Sequence, residues 1–288
     1  MAPQRGAGVG ELEAAQVRSM FDGIAWVYDA LNSAMTAGLH HRWRERAVDL
    51  ARVGPGDRVL DVATGTGDLA LELARRVAPG GEVLGSDFSE GMLARARAKA
   101  DGAVRFEWGD ALALPYPDDS FDAATVGFGA RNFSDLPRGL AEMARVVRPG
   151  GRVLVLEFTT PTRPPLSHFY GLWFDRVVPR LGALVGAIAS LATRVRPARA
   201  EDERAGGAES NGNGNGAAGG KGNGRGGSAD KVGIAAAYSY LPNSVKRWPA
   251  PAALAREMQS AGIGDVRCLL TAGGIVAIHT GVVAPKSA

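Results

Sequence analysis

Arg58-Val-Leu-Asp-Val-Ala-Thr-Gly-Thr-Gly-Asp-Leu-Ala70 joins three patterns in a row. Val59, Leu60 and Val62 form a short apolar run, which reads as a strand buried on both faces. Thr64, Gly65, Thr66 and Gly67 make a turn in which missing side chains let backbone N–H groups approach a ligand. Leu69, Leu71, Leu73, Ala74 and Val77 then recur at helical spacing until Pro79-Gly80-Gly81 stops the helix. Strand, glycine turn and helix together predict the nucleotide-binding opening of a doubly wound α/β domain. Gly65-x-Gly67-x-x-Ala70 alone also fits a dinucleotide fingerprint.

Charge separates the two cofactors that compete for such a turn. A dinucleotide brings an anionic pyrophosphate to the helix N-terminus. Asp61 and Asp68 flank the turn and would repel it, with only Arg58 near in sequence to compensate. S-adenosylmethionine carries a sulfonium, an ammonium and a carboxylate but no phosphate, so acidic groups suit it. The next strand, Glu82-Val-Leu-Gly-Ser-Asp87, ends in a carboxylate about twenty residues beyond the glycines, where a ribose diol is gripped. Either acid alone reads as strand-end capping; the combination favours the methyl donor.

At 288 residues the chain accommodates one large domain or two small ones. An apolar share of 45% and a charged share of 22% are ordinary for a soluble globular protein and allow a sizeable core. A net charge of +3 with no dense basic run argues against nucleic acid as a partner. The single cysteine, Cys268, excludes an internal disulfide framework and any cysteine-rich metal site, and the 4 histidines lack metal-ligand spacing, so no metal is expected. The N-terminus lacks a basic start followed by an apolar core, so the expected location is cytoplasmic.

Taken in order, residues 1–16 form a Gly/Ala-rich N-terminus expected to be disordered, and a domain expected to run over 17–288 begins at Val17. Phe21, Ile24, Tyr28 and Leu31 follow helical spacing, giving an amphipathic cap; Tyr28 and Asp29 either line a pocket or belong to ordinary packing. Ser89 caps a helix through Lys99. The strand Ala103–Trp108 leads into Gly109-Asp110-Ala111, where Asp110 either accepts from an adenine amine or is a turn aspartate. The strand Ala123–Phe128 delivers Arg131 and Asn132 to the ligand edge of the sheet as substrate-side candidates, against a surface arginine and a cap. A helix over Asp135–Val147 ends at Arg148-Pro-Gly-Gly151, and a buried strand from Arg152 closes on Glu157. Pro161 to Thr193 reads as two helices over an apolar pocket that touch a membrane surface, a transmembrane helix being the minor reading because Pro179 and Arg180 interrupt it. Residues 197–230 form a low-complexity tract unable to offset backbone entropy, hence a flexible insertion. Pro251–Ala261 is a helix; Val266–Leu270 and Gly274–Thr280 form a closing hairpin in which His279 is structural.

Several of these blocks together resemble the ubiquinone/menaquinone biosynthesis C-methyltransferases. Tyr28-Asp-Ala-Leu-Asn32 through Gly38 and Trp43 is similar to the family's N-terminal signature, with Leu31 where methionine is usual. Asp61-Val-Ala-Thr-Gly-Thr-Gly67 resembles its donor loop and Phe128-Gly-Ala-Arg-Asn132 its substrate-side motif. Arg145-Val-Val-Arg-Pro-Gly-Gly-Arg-Val-Leu-Val-Leu-Glu157-Phe resembles its second signature, with Arg148 for the usual lysine and Thr159 for the usual serine. Tyr238-Ser-Tyr-Leu-Pro-Asn-Ser244 matches the segment before its last helix. The family pattern lacks the Gly/Asn-rich insertion.

The resemblance implies the class I S-adenosylmethionine-dependent methyltransferase fold, a doubly wound seven-stranded sheet with an antiparallel last strand. It implies donor contacts by Thr64, Asp87, Asp110 and Ala111, which join Asp61, Gly65 and Gly67 of the glycine turn as donor-binding candidates, with Gly127 where some members carry a donor-contacting serine. It also implies a prenylated quinol acceptor, demethylmenaquinol in menaquinone biosynthesis, with 2-methoxy-6-polyprenyl-1,4-benzoquinol of ubiquinone biosynthesis as the alternative. A non-catalytic nucleotide-binding protein and an NAD-dependent reductase are rival readings. Arg131, Asn132 and Tyr28 are the candidate catalytic residues: Arg131 stays protonated and would stabilise a developing phenolate or hold a water, while Tyr28 and Asn132, with Asp29 as a further candidate, would orient the ring hydroxyl. His40 and His41 are alternative proton acceptors. Phe169 to Leu191 would receive the prenyl tail. Peripheral contact with the inner face of the cell membrane and a homodimer complete the expectations.

Overall fold

The computed structural model describes residues 14–26, 28–162, 164–172, 176–177, 180, 240 and 243–285. The expectations for residues 1–13, for the insertion at 197–230 and for most of the tail-binding segment lie outside these residues.

Three helices open the described chain, α1 (Ala14–Ile24), α2 (Tyr28–Thr36) and α3 (Leu39–Ala51). The alternating units follow: β1 (Arg58–Val62), α4 (Asp68–Val77), β2 (Glu82–Asp87), α5 (Glu90–Ala100), β3 (Arg105–Trp108), β4 (Phe121–Gly127), α6 (Leu136–Val146) and β5 (Val147–Phe158). A short α7 (Leu166–Leu172), α8 (Pro251–Ser260), β6 (Ile263–Thr271) and β7 (Val276–Val283) complete it. The seven strands lie in the order β3-β2-β1-β4-β5-β7-β6. β1 to β5 are parallel, and β7 runs antiparallel to both β5 and β6. The expected doubly wound seven-stranded sheet with a reversed last strand is therefore present.

Alternation along the strands sends side chains to two apolar layers. Val59 of β1 and Leu154 of β5 join Ala47, Leu73 and Leu93 of α3, α4 and α5 on one face. Leu60 and Val153 join Leu140, Met143 and Leu254 of α6 and α8 on the other. α4 is amphipathic as read from its spacing, with Leu69, Ala70, Leu73 and Val77 buried. Ser89 caps α5 by accepting from Met92 N–H, and Asp135 caps α6 by accepting from Arg138 N–H.

Several boundaries differ from the sequence reading, among them the start of α1 at Ala14, within the stretch expected to be disordered, and two of the differences have a plain cause. Arg148-Pro-Gly-Gly151 does not separate helix from strand: β5 begins at Val147, which pairs with Phe121, and the register shifts before Arg152 pairs with Ala123. β6 starts at Ile263, earlier than the period suggested, because Ile263 pairs with Val283 and lies in the core. His279 is buried in β7 with Nε2 2.9 Å from Pro251 O, a structural placement as expected.

The sheet order changes direction between β1 and β4, and the loops after their C-terminal ends open a crevice there. No helix among the described residues is long and apolar enough to cross a membrane.

Candidate active site

The crevice holds a cavity of about 560 Å³. Asp61, Thr64 and Gly65 line it from the first turn, Asp87 from the end of β2, and Asp110 and Ala111 from the loop after β3. Local chemistry explains the turn. Gly65 (φ 58°) and Gly67 (φ 83°) occupy the left-handed region, which glycine adopts without strain. A Cβ on Gly65 would meet nothing within 4 Å, so its backbone faces open space, whereas one on Gly67 would lie 2.8 Å from Phe106 Cζ. Gly67 thus does not line the cavity; it lets the turn close onto β3's Phe106 and serves as the N-cap position of α4.

Asp61 is buried and accepts from Thr64 Oγ1 at 2.6 Å and Thr125 Oγ1 at 2.7 Å, so it fixes the turn against β4. Burial pushes its carboxyl up to about 6, against those two donations. Asp87 accepts from Gly65 N–H at 2.8 Å and Ser89 N–H at 2.9 Å, one at each oxygen. Burial raises it to about 6 as well, and Asp22 nearby adds in the same direction. Each Asp87 oxygen retains a lone pair for a further donor. Asp110 is exposed and accepts from Leu112 N–H at 2.9 Å.

The charge expectation at the turn needs correction. Asp68 is not uncompensated: Arg44 Nη1 stands 3.2 Å from it and Lys99 Nζ 2.6 Å. Burial would raise its carboxyl, but Arg44 and Lys99 outweigh this and hold it below its ordinary value. Both cations come from helices distant in sequence, which is why local reading missed them. Arg58, the one local cation, lies at the far end of β1 with Glu82. The cavity lining remains acidic even so, with Asp22, Asp61, Asp68, Asp87 and Asp110 against Arg18 and Arg44.

α1 and α2 cover the crevice. Asp22 accepts from Ser89 Oγ at 2.5 Å and Gly91 N–H at 3.1 Å, which ties α1 to the start of α5. Asp29 accepts from Thr66 Oγ1 at 2.6 Å and pairs with Lys99 at 2.7 Å, which ties α2 to the glycine turn. Asp29 does not itself line the cavity, whereas Tyr28, Phe21 and Asp22 do.

A second, smaller cavity of about 60 Å³ is lined by Met20, Ile24, Met35, Phe158, Arg131 and Tyr240 among others. Phe21, Tyr28, Arg44 and Phe128 line both cavities, so the two share a wall. The candidate catalytic residues divide between them: Tyr28 borders both, Asn132 the larger and Arg131 the smaller. Tyr240 Oη donates to Asn132 Oδ1 at 3.1 Å. Arg131 is buried and its Nη1 stands 2.6 Å from Glu157 Oε1 and 2.5 Å from Phe128 O. Burial pulls the guanidinium down, but Glu157 and then Tyr28 hold it above its ordinary value. Burial pushes the Glu157 carboxyl up, opposite to what Arg131 asks of it. The 2.6 Å contact and the N–H groups of Phe158 and Arg131 donating to Glu157 favour the ionised pair. Glu157 was visible in sequence only as a strand-end carboxylate.

His40 is not free as a proton acceptor. Arg44 Nη1 donates to its Nδ1, which leaves Nε2 protonated and donating to Ser33 Oγ at 3.1 Å. Burial, then Arg44, pushes its pKa down to about 4. Ligand atoms of His40, His41 and Asp68 lie within 4.8 Å of one another, a grouping that spacing did not reveal. Arg44 occupies His40 Nδ1, and two cations already face Asp68, so a metal ion there would meet like charge.

The chain matches the model of the ubiE/COQ5 methyltransferase family over residues 9–191 and 232–283. It is 43% identical to the demethylmenaquinone methyltransferase of Thermus thermophilus, over 91% of this chain and 99% of that one. It is 41% identical to the demethylmenaquinone methyltransferase of Deinococcus radiodurans, over 89% and 88%. It is 36% identical to the ubiquinone/menaquinone biosynthesis C-methyltransferase of Geobacter sulfurreducens, over 92% and 88%. Among solved structures, a SAM-dependent methyltransferase of Aquifex aeolicus shares the fold with a TM-score of 0.53 at 15% identity, covering 95% of this chain and 100% of that one. The glycine turn with its acids at the ends of β1 and β2, the reversed last strand and a family match over most of the chain agree: the chain belongs to the ubiE/COQ5 methyltransferase family.

Proposed function

We propose that this chain transfers a methyl group from S-adenosylmethionine to a ring carbon of demethylmenaquinol, a reduced and prenylated quinone, giving menaquinol, S-adenosylhomocysteine and the proton released from that ring carbon. The observation that carries the reading is the pair of adjoining cavities, one acidic and large, one apolar and small, with Tyr28 and Phe128 in their shared wall. The residues of the larger cavity fit this donor. Asp87 keeps lone pairs for two ribose hydroxyls, the glycine turn offers open backbone, and the acidic lining suits a ligand carrying two cationic centres. When bound, the donor supplies an electrophilic methyl group on a sulfonium.

The rest falls to this chain's own residues. Alignment of the acceptor carbon with the donor supplies much of the acceleration. Arg131, held protonated, stabilises negative charge growing on a ring oxygen, and it is not itself a base. Tyr28 and Asn132, whose Oδ1 accepts from Tyr240 Oη, orient the ring hydroxyl. His40 takes no part as a base, because both its ring nitrogens are engaged. Several similar proteins are named demethylmenaquinone methyltransferase, which favours the naphthoquinol over the methoxy-benzoquinol.

A polyprenyl tail resides in lipid, so the same reading includes peripheral contact with a membrane surface from the cytoplasmic side; exposed Trp26, Leu39 and Leu172 support it. A homodimer is also proposed, supported by exposed Leu269 and Leu270 on the edge strand β6. Light scattering of the purified chain tests the dimer, and vesicle flotation the membrane contact. The central experiment supplies labelled donor with each quinol, reduced and oxidised, and locates the label by mass spectrometry. Label is expected on a ring carbon of reduced demethylmenaquinol; label on oxygen, or equal transfer to the oxidised quinone, overturns the reading.

A further inference from the structure

A buried ion pair is rarely kept for stability alone, since desolvation offsets most of its attraction. Arg131 and Glu157 form such a pair, with side chains 6% and 0% exposed. Its geometry is specific. Both hydrogens of Arg131 Nη1 are used, one toward Glu157 Oε1 at 2.6 Å and one toward Phe128 O at 2.5 Å. Glu157 in turn is fixed by backbone: Phe158 N–H donates to Oε1 at 2.8 Å and Arg131 N–H to Oε2 at 3.3 Å. The Phe158 ring, 5.6 Å from the guanidinium carbon, limits tilt. At the other end, Arg131 Nε is buried and has no hydrogen-bond partner among the described residues. A buried cationic donor left unpaired is costly unless a ligand accepts it.

We propose that Glu157 is a positioning residue for methyl transfer, which holds Arg131 by Nη1 so that its Nε–H is presented to a ring oxygen of the acceptor in the smaller cavity. This rests on the acceptor reading above. The Nε–H then makes a hydrogen bond that strengthens as negative charge grows on that oxygen, which stabilises the transition state more than the bound quinol. Glu157 does not touch the acceptor; it sets the angle and depth of the guanidinium. A shift of about 1 Å there is enough to lower turnover on the order of a hundredfold.

The test uses the full chain with Glu157→Asp, which keeps the charge but withdraws the anchor by one methylene, and Glu157→Gln as a second variant. Donor affinity is measured by calorimetry, kcat and KM on demethylmenaquinol, and the Arg131 Nε–H by ¹⁵N-edited NMR, assigned through its loss in Arg131→Lys. For Glu157→Asp the expectation is a kcat lowered about tenfold or more, with donor affinity within about twofold. The slowly exchanging Nε–H signal of the wild type should shift or vanish in that variant. A Glu157 variant with wild-type kcat and an unmoved Nε–H overturns the proposal, as does a fall in melting temperature with no change in kcat. If Glu157→Gln fails to fold, Glu157→Asp decides alone. A wild-type chain inactive on the quinol counts against the acceptor reading, and the Nε–H signal still decides whether Glu157 holds Arg131.

Discussion

The hydroxyl of Thr66, in the glycine turn, donates to Asp29 Oδ1 at 2.6 Å across 37 positions of sequence. This bond joins the covering helix α2 to the loop that faces the donor, and Lys99 binds both residues.

Asp29→Ala should therefore weaken S-adenosylmethionine binding without removing any residue that lines the cavity. The Asp29 and Lys99 side chains are partly exposed, at 45% and 30%, so screening reduces the ion pair and the Thr66 bond dominates. A loss of about 0.5–1.5 kcal/mol, a few-fold in affinity, is expected by calorimetry. Unchanged affinity at both low and high salt would show that the α2 contact does not support the donor loop.

Asp87→Ala should cost more, because it removes the acceptor of Gly65 N–H and Ser89 N–H together with the expected ribose contact. Roughly 1.5–3 kcal/mol, or about tenfold to a hundredfold in donor affinity, is expected for hydrogen bonds to a charged group. A folded variant with wild-type affinity would place the ribose elsewhere.

Asp61 makes stability depend on pH with an unusual sign for a carboxylate. Its folded pKa, about 6, lies above the ordinary 3.8, so the folded state keeps this proton longer than the unfolded one. Stability should fall as pH rises between those values, by on the order of 1–3 kcal/mol, and level off above. Asp61→Asn should lack that portion of the slope, while Asp87 contributes the same sign in both proteins. Urea unfolding at pH 4.5, 5.5 and 7 measures the difference; parallel curves for the two chains would exclude a raised Asp61.

Joining Pro197 to Asp230 through a short linker should leave melting temperature and methyl transfer within about twofold of the parent, since a Gly/Asn-rich tract adds little to a core and loop length costs little. Lost turnover at an unchanged melting temperature would assign the tract an active part.

What could be read from sequence depended on how local its cause was. The β1 turn, the cap at Ser89 and the acid at the end of β2 follow from neighbours a few residues away, and Asp61, Thr64, Gly65 and Asp87, read from sequence as one group, line one cavity. The cap helices were legible as amphipathic, but not that Asp22 and Asp29 fasten them to α5 and the glycine turn. That Arg131 leaves β4 at the rim of the sheet was legible, yet its Glu157 partner stands 26 residues on, brought beside it because β4 and β5 pair in parallel. His40 is a different case: Arg44, which donates to its Nδ1, is only one helical turn away, but the burial that does most to lower its pKa is set by the packed fold.

The reversal of strand order between β1 and β4 parts the rim of the sheet into two groups of candidate residues. The candidate donor residues Asp61, Thr64, Asp87 and Asp110 follow β1, β2 and β3, whereas Arg131, Asn132 and Glu157 belong to β4, β5 and the loop after β4. The loop after β4 serves both cavities, because Gly129, Asn132, Phe133 and Ser134 line the larger, Arg131 the smaller and Phe128 both. Exchanging residues 128–134 for those of a relative with a different acceptor is thus expected to move donor affinity along with acceptor choice, even with Asp61, Thr64 and Asp87 left in place.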